Sequence, residues 1–313
     1  MLNSKISIVS SCLFFFLMFP LLLPYQVFSY NASSGEFNKY LIALDGQFAG
    51  YGWKDLHPQA IPWEYYRTTK GKNPLMFVIF GNQQKHCTLF LGGVHGDESP
   101  TVYLMFKLAH YVKENPALFK DKCIVIAPLV NPDGFLSASQ TRVNSAGIDP
   151  NRNLPTRDWR AKALRQWTAK GKNRRYYPGA KPASEQESLF QIALIKRFKP
   201  QKILSVHSPL NFFDYDGPSS TLDSFEKWME QICKETNHPL KKFGYYPGSL
   251  GNYAGHERNI FTLTLELPSS DPGHGSNYFE KFQPSILKFI NLPVVGSSLN
   301  ITITNNDKSV NNK

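Results

Sequence analysis

The chain has 313 residues, of which 42% are hydrophobic and 14% aromatic, and its formal net charge is +11 at pH 7. This composition supports a sizeable buried core and excludes a chain that is disordered as a whole. The positive charge favours anionic partners, but the absence of a zinc finger, an RNA-binding aromatic motif and a long basic helix argues against nucleic acid.

The first 29 residues predict a signal peptide. Lys5 precedes a long apolar run, and the small residue Ser29 follows at a suitable cleavage position. An uncleaved membrane anchor is the alternative, because Ile6 to Leu23 is almost long enough to span a bilayer, although two prolines argue against it. We expect an exported protein, periplasmic or secreted, without a stable membrane partner after cleavage.

Three cysteines remain after cleavage, namely Cys87, Cys123 and Cys233. In an oxidising compartment this odd number allows at most one disulfide within a monomer. Cys87 and Cys123 each begin a predicted strand, so these two strands can lie side by side. Whether the two residues form a disulfide or remain buried thiols is left open by the sequence.

Short apolar runs alternate with helical stretches along most of the chain. The predicted buried strands are 75–80, 87–94, 123–130, 202–207 and 260–267. The predicted helices are 101–113, 184–197, 222–235 and 277–290, and the second of them opens with a capping box at Ser184 to Glu187. This alternation predicts an α/β fold of three layers, α/β/α, with a mostly parallel, mixed central sheet.

The regions on either side of residues 74–292 lack this alternation of strands and helices. Residues 30–73 carry many aromatic residues without clear periodicity, and we expect an N-terminal extension that packs on the main domain, residues 74–292. Residues 293–313 are rich in Asn, Ser and Lys and predict a flexible tail.

His95 and Glu98 form a His-x-x-Glu step after one predicted strand, and His207 ends another. Two histidines and one carboxylate are typical of hydrolytic zinc sites, in which the fourth position is open to water. In a parallel sheet the carboxyl ends of the strands meet at one edge, where Asn131 and Glu266 are also expected. A lone histidine at a strand end is more often structural, whereas an unpaired carboxylate such as Glu266 is costly to bury in an apolar strand. The set predicts a site for one Zn²⁺ ion.

The order of the motifs resembles the zinc carboxypeptidase family. The resemblance covers about residues 75–268 and depends on the whole series, which is His95-Gly96-Asp97-Glu98, Asn131-Pro132-Asp133-Gly134, Arg142, Asp149-Pro150-Asn151-Arg152-Asn153, His207 and Leu265-Glu266. Three segments look closest to bacterial murein peptide amidases, namely Gly92 to Glu98, Gly248 to Gly251 and Thr264 to Pro268. Those enzymes hydrolyse the bond between γ-D-glutamate and diaminopimelate.

The resemblance implies a role for each matching residue. His95, Glu98 and His207 would bind zinc, which lowers the pKa of its water to about 7 and polarises the scissile carbonyl. Glu266 would be the catalytic acid and base, and Arg142 would stabilise the tetrahedral intermediate. Asn151 and Arg152 would hold the terminal carboxylate of the substrate.

Two further features are less specific. The family often has a mobile tyrosine beside the substrate, and Tyr246 is the closest candidate in this sequence, with packing against its own loop as the alternative. The segment from Arg157 to Arg175 carries eight cations against Asp158 alone. It either attracts acidic peptides toward the site or forms an ordinary solvated loop.

These observations predict a metallocarboxypeptidase that hydrolyses an amide next to a free terminal carboxylate, with a muropeptide as the expected substrate. Ordinary peptides are the first alternative. A deacylase of the aspartoacylase or succinylglutamate desuccinylase type is the second, although the segment Asn131 to Gly134 favours a peptidase. A non-catalytic wall-binding module is the third, and the intact set of site residues argues against it. The sequence leaves the oligomeric state open.

Overall fold

The computed structural model describes residues 35–218 and 222–293. The predicted signal peptide, 1–29, and all but the first residue of the predicted tail, 293–313, lie outside these ranges. None of the helices in the described ranges combines the length and the apolar character that a membrane-spanning segment needs.

Eight strands form one mixed sheet in the order β1-β2-β4-β3-β5-β8-β6-β7. The four central strands, β4, β3, β5 and β8, are parallel to one another, whereas β2 and β6 run antiparallel to their central neighbours. The sheet thus has the mixed and largely parallel centre that the sequence predicts. The strands are β1 Glu64–Thr68, β2 Pro74–Gly81, β3 Cys87–Leu91, β4 Cys123–Ala127, β5 Lys202–His207, β6 Phe212–Asp216, β7 Leu240–Lys241 and β8 Phe261–Glu266.

Helices cover both faces of the sheet and complete the three-layer α/β/α fold. The core on one face includes residues of α1, α2, α7 and α8, and the core on the other face includes residues of α6. The helices are α1 Gly35–Gly50, α2 Ser99–Glu114, α3 Pro116–Phe119, α4 Pro132–Leu136, α5 Trp159–Ala169, α6 Gln186–Phe198, α7 Leu222–Thr236 and α8 Gly275–Asn291.

All five predicted strands and all four predicted helices are present, with small differences at their ends. The capping box at the start of α6 is wrong, since the N-cap residue is Glu185 and its side chain makes no capping hydrogen bond. The side chain of Glu187 instead accepts a hydrogen bond from Asn144 at 3.0 Å.

The N-terminal helix α1 is part of the main core. Leu44 and Phe48 are fully buried, and the Phe48 ring lies 4.9 Å from that of Phe106 on α2. On the neighbouring strands, Cys87 and Cys123 are register partners at the start of β3 and β4, and a disulfide joins them. Of the two possibilities that the sequence leaves open, a disulfide or two buried thiols, the structure has the disulfide.

Candidate metal centre and cavity

The predicted metal ligands meet at the carboxyl edge of the central strands. His95 and Glu98 lie in the loop between β3 and α2, and His207 is the last residue of β5. Glu266 ends β8 and is the register partner of His207. Because these strands are parallel neighbours, their ends bring residues that are far apart in sequence to one edge.

His95, Glu98 and His207 form a compact buried cluster. His95 Nδ1 lies 2.7 Å from Glu98 Oε1, and His207 Nδ1 lies 3.0 Å from Glu98 Oε2. The two Nδ1 atoms are 3.1 Å apart, and the potential ligand atoms of all three residues lie within 4.8 Å of one another.

The surroundings of the two imidazoles suit a bound cation. His95 Nε2 lies 3.2 Å from Asp149 Oδ1, and His207 Nε2 lies 3.1 Å from Ser205 Oγ. An ionised carboxylate only accepts hydrogen bonds, so with a cation bound at His95 Nδ1 the ring proton is on Nε2, which donates it to Asp149. This leaves the Nδ1 lone pair directed toward the other ligand atoms. Two imidazoles and a carboxylate are the donor set that zinc accepts, and their second partners orient them as in known zinc sites.

Asp149 also connects the metal centre to Arg142. Arg142 Nε donates to Asp149 Oδ2 at 2.8 Å, and Arg142 Nη1 approaches Glu98 Oε1 at 3.4 Å. Burial disfavours the charged form of Asp149, yet Arg142 and His95 hold the pKa of its carboxyl group below the ordinary range. Asp149 is therefore a charged acceptor for two site residues, a role that the sequence analysis did not assign.

Glu266 lines the same cavity as the three ligand candidates. Within the described part of the chain, its Oε2 atom is buried and makes no hydrogen bond. Burial raises the pKa of the Glu266 carboxyl group, and the charge of Glu98 adds to the effect. The backbone of Leu210 donates a hydrogen bond to this carboxyl group, so Oε2 is the atom available to a substrate or a water molecule.

Arg142, Asn151, Arg152 and Tyr246 all line this cavity, which has a volume of about 470 Å³. The guanidinium of Arg152 stacks over the Tyr246 ring at 4.7 Å, and the ammonium of Lys170 lies 4.9 Å from the same ring. Asn151 Oδ1 accepts a hydrogen bond from the Leu250 amide at 2.8 Å. All eight predicted site residues are thus brought together.

The loop that carries Tyr246 lies directly on the Arg152 segment. Gly248 has a φ of +79°, and a Cβ atom at this position would lie 2.0 Å from the Arg152 carbonyl oxygen. Glycine is therefore required here for both its backbone conformation and its lack of a side chain.

Asn131 and the basic segment 157–175 differ from what the sequence leads us to expect. Asn131 caps α4 by accepting from the Gly134 amide and donates to the Arg142 carbonyl, so its role is to shape the loop. The basic segment contains the helix α5 rather than only a loop, and Lys170 and Arg175 line the cavity. Arg175 contacts Asp97 of the His-x-x-Glu step.

The structure adds four residues to which the sequence assigns no role, and three of them line the cavity. Ser205 precedes His207 by two residues on β5, a spacing that places both side chains on one face of the strand and is visible in the sequence. The remaining residues are recognised only in the fold, because the side chains that surround them are distant along the chain. They are Asp149, Asp214 and Asp216.

Comparisons with known proteins agree with this geometry. A profile of the family described as zinc carboxypeptidase matches residues 55–271. Murein peptide amidase A of Escherichia coli K12 is 30% identical over 215 residues, which cover 66% of this chain and 83% of the relative.

Solved structures show the same fold. The murein-tripeptide amidase of Escherichia coli O157 is 23% identical and gives a TM-score of 0.55, with coverage of 75% of this chain and 93% of the other. Bovine thrombin-activatable fibrinolysis inhibitor is 15% identical and gives a TM-score of 0.60, with coverage of 84% and 96%.

Proposed function

Because this chain belongs to the zinc carboxypeptidase family and is a zinc metallopeptidase, we propose that it hydrolyses the γ-D-glutamyl-diaminopimelate bond of murein peptides. The observation that carries the proposal is the convergence of His95, Glu98, His207, Glu266 and Arg152 on one cavity. The names of the curated relatives support a murein peptide as the substrate.

One zinc ion is the cofactor in this proposal, with His95, Glu98 and His207 as its ligands. Bound zinc supplies a Lewis acid for the scissile carbonyl and lowers the pKa of a water molecule. Asp149 and Ser205 keep the imidazoles oriented, because each contacts the ring nitrogen opposite the ligand atom. The protein thus prepares the geometry before the substrate arrives.

Glu266 transfers the proton in this reaction. Its Oε2 atom accepts a proton from the attacking water and delivers it to the leaving amine of diaminopimelate. No structural hydrogen bond holds this atom within the described residues, so the transfer breaks no contact of the folded chain. General acid and base catalysis of this kind contributes ~10²- to 10⁴-fold.

The cations of the cavity bind the two negative groups of the reaction. Arg142 is held by Asp149 beside Glu98, where it stabilises the oxygen that gains charge as water adds to the carbonyl. Arg152 and Asn151 bind the free carboxylate of the leaving amino acid, because a guanidinium can donate two parallel hydrogen bonds to a carboxylate.

The test uses zinc-loaded protein and the tripeptide L-Ala-γ-D-Glu-meso-diaminopimelate, with mass spectrometry of the products. We expect L-Ala-D-Glu and free diaminopimelate, formed with uptake of one water molecule. A parallel reaction with ordinary α-linked peptides separates the two substrate classes. Cleavage of those peptides without cleavage of the tripeptide would contradict the murein assignment.

A Glu266→Gln variant is the matched control. We expect it to keep its zinc, since Glu266 is not a ligand, and to lose at least two orders of magnitude in kcat. Metal analysis and turnover are measured on the same sample. Substantial turnover in the variant would show that Glu266 does not transfer the proton.

We also propose that the protein is exported. The apolar segment near the start of the sequence supports export, and so does the Cys87–Cys123 disulfide, because structural disulfides form in oxidising compartments. Cell fractionation measures this directly, and a protein found only in the cytoplasm with reduced cysteines would contradict it.

A further inference from the structure

A short turn at the mouth of the cavity, residues 174–177, lies against the metal centre, and we call it the rim turn. Its residue Arg175 forms an ion pair with Asp97, which lies within the His-x-x-Glu step. Tyr176 covers Arg142, whose guanidinium lies 5.1 Å from the centre of the Tyr176 ring. Both Arg175 and Tyr176 line the cavity and are exposed. The rim turn is therefore part of the surface that a substrate meets.

Further contacts hold the rim turn in place. The Tyr177 carbonyl accepts a hydrogen bond from the Asp149 amide at 2.9 Å. The Asn173 side chain accepts one from the Arg175 amide at 3.0 Å, and the Trp167 ring lies 4.7 Å from the Tyr177 ring. These contacts fix the backbone of Arg175 before a substrate binds, which lowers the entropic cost of binding.

The guanidinium of Arg175 can bind a second carboxylate. Its Nη1 atom donates to Asp97 Oδ2, and within residues 35–218 and 222–293 its other N–H groups make no hydrogen bond. Arginine carries five N–H donors in a planar fork, so one contact orients the group and leaves donors for another acceptor. The side chain of Arg175 is 43% exposed, and a ligand in the cavity can therefore reach these donors.

The other lysine and arginine residues of the cavity lining are engaged elsewhere. Arg152 and Lys170 both contact the Tyr246 ring, at 4.7 and 4.9 Å. Arg142 lies beside the ligand candidate Glu98, where the scissile carbonyl is expected. The rim turn supplies the remaining cation of the lining, at a place distinct from the contact of Arg152 with Tyr246.

The acyl side of the proposed substrate carries a charge that an ordinary peptide lacks at this position. In a γ-glutamyl bond the side-chain carboxyl group of glutamate forms the amide, so the α-carboxylate stays free and ionised. With the leaving amino acid at Arg152 and the scissile carbonyl at the metal centre, this α-carboxylate lies on the other side of the cleaved bond. A cation on that side is complementary to it.

We propose that Arg175, oriented by Asp97, binds the α-carboxylate of the γ-glutamyl residue and so makes the site selective for acyl groups that carry this charge. Tyr176 forms the wall on which the methylene groups of the residue pack. This inference rests on the proposed function, because it takes a γ-glutamyl peptide as the substrate. It adds a determinant on the acyl side to the contacts of Arg152 and Asn151 on the leaving side.

The experiment compares kcat/KM of the zinc-loaded protein on two tripeptides. One is L-Ala-γ-D-Glu-meso-diaminopimelate, and in the other the α-carboxylate of D-Glu is replaced by a carboxamide. The scissile bond and the leaving amino acid are the same in both. We expect the carboxylate substrate to be favoured by about 10- to 100-fold, which is the range for hydrogen bonds between charged groups. Comparable values would overturn the inference, whereas failure to cleave either tripeptide would instead contradict the proposed function.

Arg175→Gln is the decisive variant. It should lose about 10- to 100-fold in kcat/KM on the carboxylate substrate and keep its activity on the carboxamide, so that the preference disappears. Zinc content is measured on the same sample, because Arg175 also contacts the loop of the metal-ligand candidates. An equal loss on both substrates would show that Arg175 only holds this loop in place, and it would overturn the inference.

Two further variants complete the design. Arg174→Gln removes the same charge from the neighbouring exposed position, which is outside the cavity lining, and it should leave the preference unchanged. Arg175→Lys keeps the charge without the planar fork and should retain part of the preference. Loss of the preference in Arg174→Gln would show a general effect of charge and overturn the inference. The wild-type comparison alone decides the matter if Arg175→Gln fails to fold.

Discussion

The side chains of the metal centre differ in how well the sequence reveals them. His95 and Glu98 are three residues apart after a strand, and His207 ends a second strand, so spacing and strand position predict them together. Asp149 is different, because it lies in a turn directly before Pro150 and contacts His95 only in the folded chain. Sequence reasoning finds the ligands and misses the residue that orients one of them.

Asp149→Asn should weaken zinc binding. An amide in place of the carboxylate removes the charged acceptor for His95 and Arg142, and loss of such an outer contact typically lowers metal affinity by ~10- to 100-fold. Competition with a chromophoric chelator measures the affinity. The exposed residue Asp121 provides the control variant Asp121→Asn, and equal affinities for the two variants would contradict the proposed role of Asp149.

Glu187→Gln should change the pH dependence of stability. Burial raises the pKa of Glu187 to about 7 in the folded chain, from an ordinary value of 4.5. As pH rises between these values the unfolded chain releases the proton first, so this group makes folding progressively less favourable. Glutamine does not ionise, and the variant should therefore gain stability over the wild type at pH 8 but not at pH 4.

Urea unfolding of both proteins at pH 4 and pH 8 checks this expectation. The comparison uses the difference between variant and wild type, because other groups titrate equally in both. A difference that is the same at the two pH values would show that Glu187 does not titrate between them.

At the scale of elements, continuous apolar runs are the part of the fold that the sequence predicts best. β3 and β4 are fully buried and have no polar interruption apart from Thr88, so their pattern is clear. β6 was missed because Asp214 and Asp216 interrupt its apolar residues, and their cavity position is apparent only after β6 pairs with β8. α5 was missed because only Trp159 and Ala163 are buried, which leaves no apolar stripe in a basic segment.

Gly96→Ala should destabilise the junction of two loops. A Cβ atom at Gly96 would lie 2.1 Å from the Gly134 carbonyl carbon and 2.2 Å from the Phe135 amide nitrogen, both of which are backbone atoms of α4. Backbone atoms move only with their element, so we expect a loss of ~1–3 kcal/mol in the free energy of unfolding and weaker zinc binding. Chemical denaturation and metal analysis measure the two effects.

Gly46→Ala is the matched control for this substitution. Gly46 lies inside α1, and a Cβ atom there has nothing within 4 Å. Alanine favours a helix interior more than glycine does, so this variant should gain roughly 0.5–1 kcal/mol. If both variants had the same effect, the contact between Gly96 and α4 would not limit the size of residue 96.

At the scale of the whole molecule, we expect the Cys87–Cys123 disulfide to contribute to the stability of the fold and not to catalysis. It joins β3 and β4 at their first residues, whereas the metal centre lies beyond the opposite ends of the central strands. A double Cys87→Ala, Cys123→Ala variant should lose about 4 kcal/mol in the free energy of unfolding, given a sequence separation of 36 residues, and keep its kcat once folded. Urea unfolding and turnover at 25 °C measure the two quantities, and a parallel fall in kcat would show that the bond also shapes the site.

The contribution of α1 and α8 to the core bears on how the protein can be produced in recombinant form. A fragment trimmed to residues 55–271, the limits of the family match, would lack both helices. It would uncover the apolar surface that Phe48, Phe282 and Phe289 bury, and such patches promote aggregation. Expression boundaries drawn outside residues 35 and 291 keep this surface covered. Insolubility of the shorter fragment would therefore reflect the loss of two helices from one layer of the fold and would carry no information about the active site.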